Sequence, residues 1–188
     1  STPEWQHGRE LEKICRRIPW FPSMIRGARV LDFGCGAGHQ VARMADLGAV
    51  QVTGIELQED LRRRAEEAAD SYGVRDRVAV HAELPPERRG FFDVVLSQNS
   101  MEHFSDPGTV LESMRDALAP HGRIVMVFGP LWWHPYGAHV HFFTKVPWPH
   151  LWFSEETIMV VRSDFRDDGA ERFEDVAGGL NRMTIRRF

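Results

Sequence analysis

A chain of 188 residues, 43% of them hydrophobic, is long enough to bury one core and too short for several domains. Its formal net charge of −4 supplies no global basic field to draw in nucleic acid or an anionic membrane. With Cys15 and Cys35 as the only cysteines, no transmembrane-length apolar run and no signal-peptide pattern at the start, the expectation is a protein of a reducing cytoplasm without a disulfide framework.

Thr2-Pro3-Glu4 reads as a helix start, with a capping hydroxyl, a proline in the first turn and an acid at the positive end of the dipole, leading a helix to about Ile18. Arg29 to Phe33 is the first predicted strand, His39 to Leu47 its helix, and Gln51 to Leu57 the second strand. Leu61, Ala65, Ala68, Ala69 and Tyr72 recur at helical spacing opposite a charged face, as in a helix that covers a sheet. Val78 to His81 is a short third strand, and the continuous apolar run from Phe92 to Leu96 suits a fourth that is buried on both faces. Asp106-Pro107 starts a helix whose stripe is Val110, Leu111, Met114 and Leu118; the turn Ala119-Pro120-His121-Gly122 ends it, and Arg123 to Phe128 is the fifth strand.

After Gly129 the pattern changes. Leu131 to Phe153 is dense in Trp, His and Pro and reads as a long irregular loop, followed by a helix capped at Ser154-Glu155-Glu156 and running to about Phe165. The tail from Arg166 carries Gly178-Gly179 and a last helix-like segment around Met183, with no further strands visible. The fivefold alternation of strand and helix implies right-handed crossovers and a Rossmann-like, doubly wound, mostly parallel α/β sheet with helices on both faces. The whole is expected to be one domain over 1–188, with a core of about 28–130 and an aromatic, histidine-rich loop and helical tail over 131–188. A chain that begins at Ser1 and stops on Arg186-Arg187-Phe188 is expected to be a processed form or a fragment.

The chemistry concentrates at Val30-Leu31-Asp32-Phe33-Gly34-Cys35-Gly36-Ala37-Gly38-His39, a strand that runs into an acid and three alternating glycines, and at Gly54-Ile55-Glu56, an acid at the tip of the next strand. Ligands of open α/β sheets bind outside the carboxyl ends of the strands, where glycines let backbone approach and an acid can hold a ribose diol, so this edge is suited to a nucleoside. A dinucleotide fingerprint needs G-x-G-x-x-G, and His39 stands where its third glycine would be, which argues against NAD.

The D-x-G-x-G-x-G form with Glu56 closing the next strand resembles the class I S-adenosylmethionine-dependent methyltransferases, over roughly Val30 to Pro130. That resemblance implies S-adenosyl-L-methionine as cofactor and S-adenosyl-L-homocysteine as product. It assigns Asp32 to supporting the loop that faces the methionine amino group. Gly34, Cys35, Gly36 and Gly38 supply the backbone beneath that group, and Glu56, with Leu57 beside it, the acceptor of both ribose hydroxyls. Ala82 and Glu83 fall where family members surround adenine. Phe92 to Asn99 resembles the fourth-strand motif that ends beside the sulfonium, which makes Gln98 and Asn99 cofactor contacts. Ser100-Met101-Glu102-His103 resembles the E-H turn of small-molecule members.

Methyl transfer from a sulfonium needs an in-line nucleophile and a way to lose a proton, and positioning supplies much of the rate. A histidine near neutral pKa is the natural base, so His103 is the first catalytic candidate, with His141 and His139 behind it. His134, His139 and His141 carry ligand atoms suited to zinc or iron, but without a ligand spacing they read as pocket or hydrogen-bonding residues, and no metal is expected. Trp132, Trp133, Tyr136, Trp148 and Trp152 read either as an aromatic wall for the acceptor or as cover for the sheet, with packing the reading for at least half. The chain has no N-P-P-Y motif after strand four and no cysteine following a proline, so the acceptor is expected to be a small molecule methylated on oxygen or nitrogen, not a nucleic acid. Alternatives are a truncated or non-catalytic nucleoside-binding domain, an aminopropyl-transferring relative and a NAD-binding protein; the departure from the family is the apparent lack of strands six and seven, missing or reorganised.

Overall fold

The computed structural model describes residues 9–176 and 179–188. The helix start at Thr2-Pro3-Glu4, and Gly178 of the glycine pair, lie outside them. Contacts divide the chain into two compact units, one running to Gln98 and including Thr109–Val127, the other made of Asn99–Gly108 and Phe128–Phe188.

The first unit is a five-stranded, all-parallel sheet of order β3-β2-β1-β4-β5, with β1 Arg29–Phe33, β2 Gln51–Ile55, β3 Val78–His81, β4 Phe92–Gln98 and β5 Leu118–Val127. The helices are α1 Arg9–Arg17, α2 Phe21–Ile25, α3 His39–Asp46, α4 Glu59–Ser71 and α5 Pro107–Ala117, the last beginning in the other unit. Val30, Val52, Val94 and Leu96 interleave with Ile14, Phe21 and Val41 in one buried cluster, which is why the central strands read as continuous apolar runs. Asp106 Oδ1 accepts the Gly108 N–H at 3.0 Å and caps α5, as its Asp-Pro start implies.

β2 stops at Ile55, short of the expected Leu57, and β4 continues past Leu96 to Gln98. The expected turn before strand five is instead a bulge inside β5. Phe92 pairs with Leu118 and Val94 already with Arg123, so Ala119–Gly122 bow out of register, with His121 at φ 69°. A Cβ on Gly122 would stand 2.8 Å from the Phe92 carbonyl oxygen, so only glycine lets the bowed strand return to β4.

The second unit has its own core. Ala138, Val140, Ile158, Met159, Phe173 and Leu180 form a buried cluster flanked by Trp132, Phe143 and Val176. Its helices are α6 Pro149–Trp152 and α7 Glu155–Ser163, the latter capped by Ser154 Oγ, which accepts the Thr157 N–H at 3.2 Å. The segment expected to be wholly irregular is thus a chain of tight turns with a short helix at its end: His134 N–H donates to Leu131, Gly137 N–H to His134 and His139 N–H to Tyr136, at 2.8–3.0 Å. No helix forms around Met183. Its carbonyl accepts the Trp132 N–H at 2.8 Å and the Asn181 N–H goes to the Glu102 carbonyl at 2.9 Å, so the tail gives its backbone groups to tertiary partners. Among the described residues there is no sixth or seventh strand, and no helix is long and apolar enough to cross a membrane.

Candidate functional site

Because every pairing is parallel, β1 to β4 end on one edge of the sheet. Their tips are laced together: Gly34 and Cys35 N–H donate to the Ile55 carbonyl at 2.9 and 3.0 Å, and Glu56 N–H to the His81 carbonyl at 3.0 Å. Glu56 is thereby set against the glycine turn. Its Oε2 accepts the Gly36 N–H and its Oε1 the Gln58 N–H, each at 3.0 Å. These bonds aim the carboxylate while occupying about two of its roughly four lone-pair sites, leaving both oxygens able to accept from a ligand.

The glycines divide their labour. Gly36, at φ 53°, has open space where a Cβ would stand. Gly38, at φ 72°, would place a Cβ only 2.3 Å from the Ala65 Cβ, so its missing side chain is what lets the start of α3 touch α4. Cys35 packs in the core, and burial pushes its thiol pKa well above the ordinary value. A Cβ on Gly54 would stand 2.6 Å from its Sγ. The turn therefore presents backbone, not the thiol, toward any ligand.

Asp32 is only 2% exposed, and burial raises its pKa to about 7. Gln40 Nε2 donates to its Oδ2 at 3.3 Å and opposes that rise, and the nearby Glu56 charge adds to it. A cation at this spot would relieve the penalty. Leu57 is largely exposed, and Arg62 Nη1 donates to the Glu56 and Leu57 carbonyls at 2.9 and 2.6 Å, holding the bend after β2. Ala82 and Glu83 are exposed just past β3, and Gln98 is the buried last residue of β4. Asn99, at φ 52°, is exposed and belongs to the second unit by contacts.

His103, His139 and His141 are brought together in that second unit, lining a cavity of about 610 Å³ with Val140, Met159 and Phe173. The His103 and His139 rings meet edge to face at 5.8 Å. Nδ1 of His103 lies 2.5 Å from the Gly179 carbonyl oxygen and Nε2 of His139 lies 3.1 Å from that of Pro130. Burial lowers the His139 pKa, and its like-charged neighbours His103 and His141 act in the same direction, against the Pro130 carbonyl and Glu102. His139 itself sits at φ 55°, a conformation uncommon for a residue with a Cβ and often kept at functional positions. Arg162 and Asp168, also in the lining, pair through bonds of 2.5 and 2.6 Å.

Of the five aromatics read as an acceptor wall or as packing, only Trp132 joins the core; Trp133, Tyr136, Trp148 and Trp152 are exposed and none of the five lines the cavity. Packing therefore holds for fewer than half, because the turns that build this unit direct three of the four tryptophans outward. Among the described residues no group of three or more His, Cys, Asp or Glu is placed to hold a metal.

Several contributors went unread in the sequence. Gln40 falls one residue into the helix after the glycines, a place where a donor to Asp32 could have been sought. Asn181 clamps the Met101–His103 turn, donating from Nδ2 to the Met101 and Phe104 carbonyls at 2.7 and 2.8 Å, and nothing local in the tail signals that role.

The profile of the family described as "Methyltransferase domain" matches residues 31–126. A ubiquinone biosynthesis O-methyltransferase of Xanthomonas oryzae pv. oryzae is 38% identical over 104 residues, 54% of this chain and 43% of that protein. The chain thus spans less than half of the length of this curated relative. Among solved structures, the cyclase SpnF has a TM-score of 0.57 at 25% identity, covering 72% of this chain and 54% of that one. A Galdieria sulphuraria protein assigned as a sarcosine dimethylglycine methyltransferase has a TM-score of 0.55 at 20% identity, over 62% and 44%. A family match over more than half of the chain, running from β1 to β5 of an all-parallel sheet, means that this protein belongs to the class I S-adenosylmethionine-dependent methyltransferases.

Proposed function

We propose that the protein binds S-adenosyl-L-methionine at the β1 to β4 edge and passes its methyl group to a small-molecule acceptor, with an oxygen as the favoured nucleophile. The observation that carries this reading is Glu56, a carboxylate aimed by two backbone N–H groups beside an open glycine, which is the arrangement a ribose diol needs. The residues fit the cofactor: the empty space over Gly36 accepts a ligand without a clash, and buried Asp32 gains from a nearby ammonium. Asp32, Gly34, Gly36 and the Cys35 backbone would hold the methionine part, Glu56 and Leu57 the ribose, Ala82 and Glu83 the adenine, and Gln98 and Asn99 the region next to the sulfur. Gly38 contributes through the packing of α3 on α4. When bound, the cofactor supplies a methyl group on a sulfonium.

The chain's own part is to orient the acceptor and take its proton. A carbonyl oxygen only accepts, so the 2.5 Å approach of Gly179 fixes the hydrogen of a neutral His103 on Nδ1 and leaves Nε2 with the lone pair. His103 Nε2 is then the atom that would take the acceptor's hydroxyl proton, and His141 and His139 line the same cavity as second bases. The name of the Xanthomonas relative, an O-methyltransferase, supports oxygen as the acceptor atom. Free thiols at Cys15 and Cys35 support a reducing, cytoplasmic setting.

Calorimetric titration with S-adenosyl-L-homocysteine and with NAD tests the reading. We expect micromolar-range binding of the first, none of the second, and a loss of about 1–3 kcal/mol in Glu56→Ala from the broken charged hydrogen bonds. Binding of NAD, or an affinity for S-adenosyl-L-homocysteine indifferent to Glu56→Ala, would overturn it.

A further inference from the structure

The second unit's cavity has a lining that selects among acceptors. Its buried cation, Arg162, is closed by both carboxylate oxygens of Asp168. The other charged lining residues, Arg166 and Asp167, are one of each sign and both exposed, and the Arg166 guanidinium lies over the Phe142 ring at 4.7 Å. No uncompensated buried charge is left for an ionic ligand, and an ion brought in without a partner would lose its hydration for nothing.

What remains is apolar surface from Val140, Met159, Phe173 and Leu180, the exposed His141, and two imidazoles whose tautomers are set by carbonyls. Gly179 holds the hydrogen of His103 on Nδ1, and Pro130 that of His139 on Nε2. The lone pairs of the neutral rings are then at His103 Nε2 and His139 Nδ1. Two acceptor nitrogens on rings that line one cavity call for a ligand that donates. An ether offers no hydrogen, and a carboxylate would set its own lone pairs against theirs. The cavity volume of about 610 Å³ is in the range of drug-sized ligand pockets.

Resting on the reading of His103 as proton acceptor, we propose that this cavity binds an uncharged hydroxyl compound with an apolar body, a phenol or an alcohol on a hydrocarbon frame, and rejects carboxylates and ethers of the same shape.

The test is calorimetric titration of the whole chain with 2-naphthol, 2-methoxynaphthalene and 2-naphthoate, with and without S-adenosyl-L-homocysteine. 2-Naphthol should bind about tenfold more tightly than either of the others, because a site built to take a hydrogen bond rejects an analogue that lacks it. The preference should fall toward unity in His139→Asn, whose new residue tolerates positive φ, and in His103→Phe, which keeps a ring of similar shape. No binding of any of the three, equal binding of the ether or the carboxylate, or a preference that survives both substitutions would overturn the proposal. If the preference holds while S-adenosyl-L-homocysteine fails to bind, the methyl-transfer reading falls and this one stands. If S-adenosyl-L-homocysteine binds in a Glu56-dependent way and the preference is absent, only the substrate class falls.

Discussion

The sheet unit and the second unit reach a buried core by different routes. In the first, Val30, Val52, Val94 and Leu96 come from parallel strands whose backbone groups are satisfied by their neighbours, so side chains only have to be apolar and correctly spaced. In the second, Ala138, Val140, Phe173 and Leu180 come from turns and a tail, and backbone groups find partners far along the chain, as when the Trp132 N–H donates to Met183 or Asn181 holds the Met101–His103 turn. A sheet is robust to substitution on its surface and intolerant at its few close approaches. A turn-built unit depends on individual polar contacts throughout.

That contrast can be broken hardest at Gly38. Gly38→Val combines a positive φ with a Cβ 2.3 Å from the Ala65 Cβ, and we expect a loss of more than about 3 kcal/mol in thermal or urea unfolding. A smaller loss would mean that α3 can shift away from α4. In the second unit the corresponding weak point is polar. Asp168→Asn leaves the Arg162 guanidinium, with its side chain 9% exposed, facing an amide, and should cost about 2 kcal/mol. Hydrogen exchange should show the loss in α7 and the tail while affinity for S-adenosyl-L-homocysteine is unchanged; a uniform loss across both units would erase the distinction between them.

The smallest effect concerns Asp32 and sharpens the comparison electrostatically. Its folded pKa of about 7 lies above the ordinary carboxylate value, so the folded state holds the proton longer than the unfolded one. The unliganded protein therefore keeps this contribution at low pH and loses it as pH rises from about 4 through 7. Ligand binding should run the other way. A cationic group needs the ionised carboxylate, so affinity for S-adenosyl-L-homocysteine should rise about tenfold between about pH 6 and 8, and Asp32→Asn should flatten that rise. A rise of equal size in the variant would assign the titration to another group.

Most of the first unit was legible because its elements carry local signals. β1 and β3 have the bounds their apolar runs suggest, α4 buries Ala65, Ala68 and Ala69 as their spacing requires, and Asp106-Pro107 starts α5. The bulge at Ala119–Gly122 was visible only as a turn, since whether a Pro-Gly interruption ends a strand or bows it depends on the neighbour across the ladder. The acid and glycine positions of the candidate site were legible for the same local reason. The separate duties of Gly36 and Gly38 were not, because one faces open space and the other faces Ala65, 27 residues away in the chain.

What the order of residues by itself determined about this protein is the alternation of strand and helix and the acid-glycine edge that goes with it, since periodicity and turn chemistry act between near neighbours. Tertiary structure decided the rest. It aimed Glu56 with backbone from two separate turns, directed Cys35 inward over Gly54, and gathered His103, His139 and His141 onto one cavity, with the tautomers of the first two set by Gly179 and Pro130. Those arrangements rest on contacts between distant segments, and such contacts leave no periodicity in the chain.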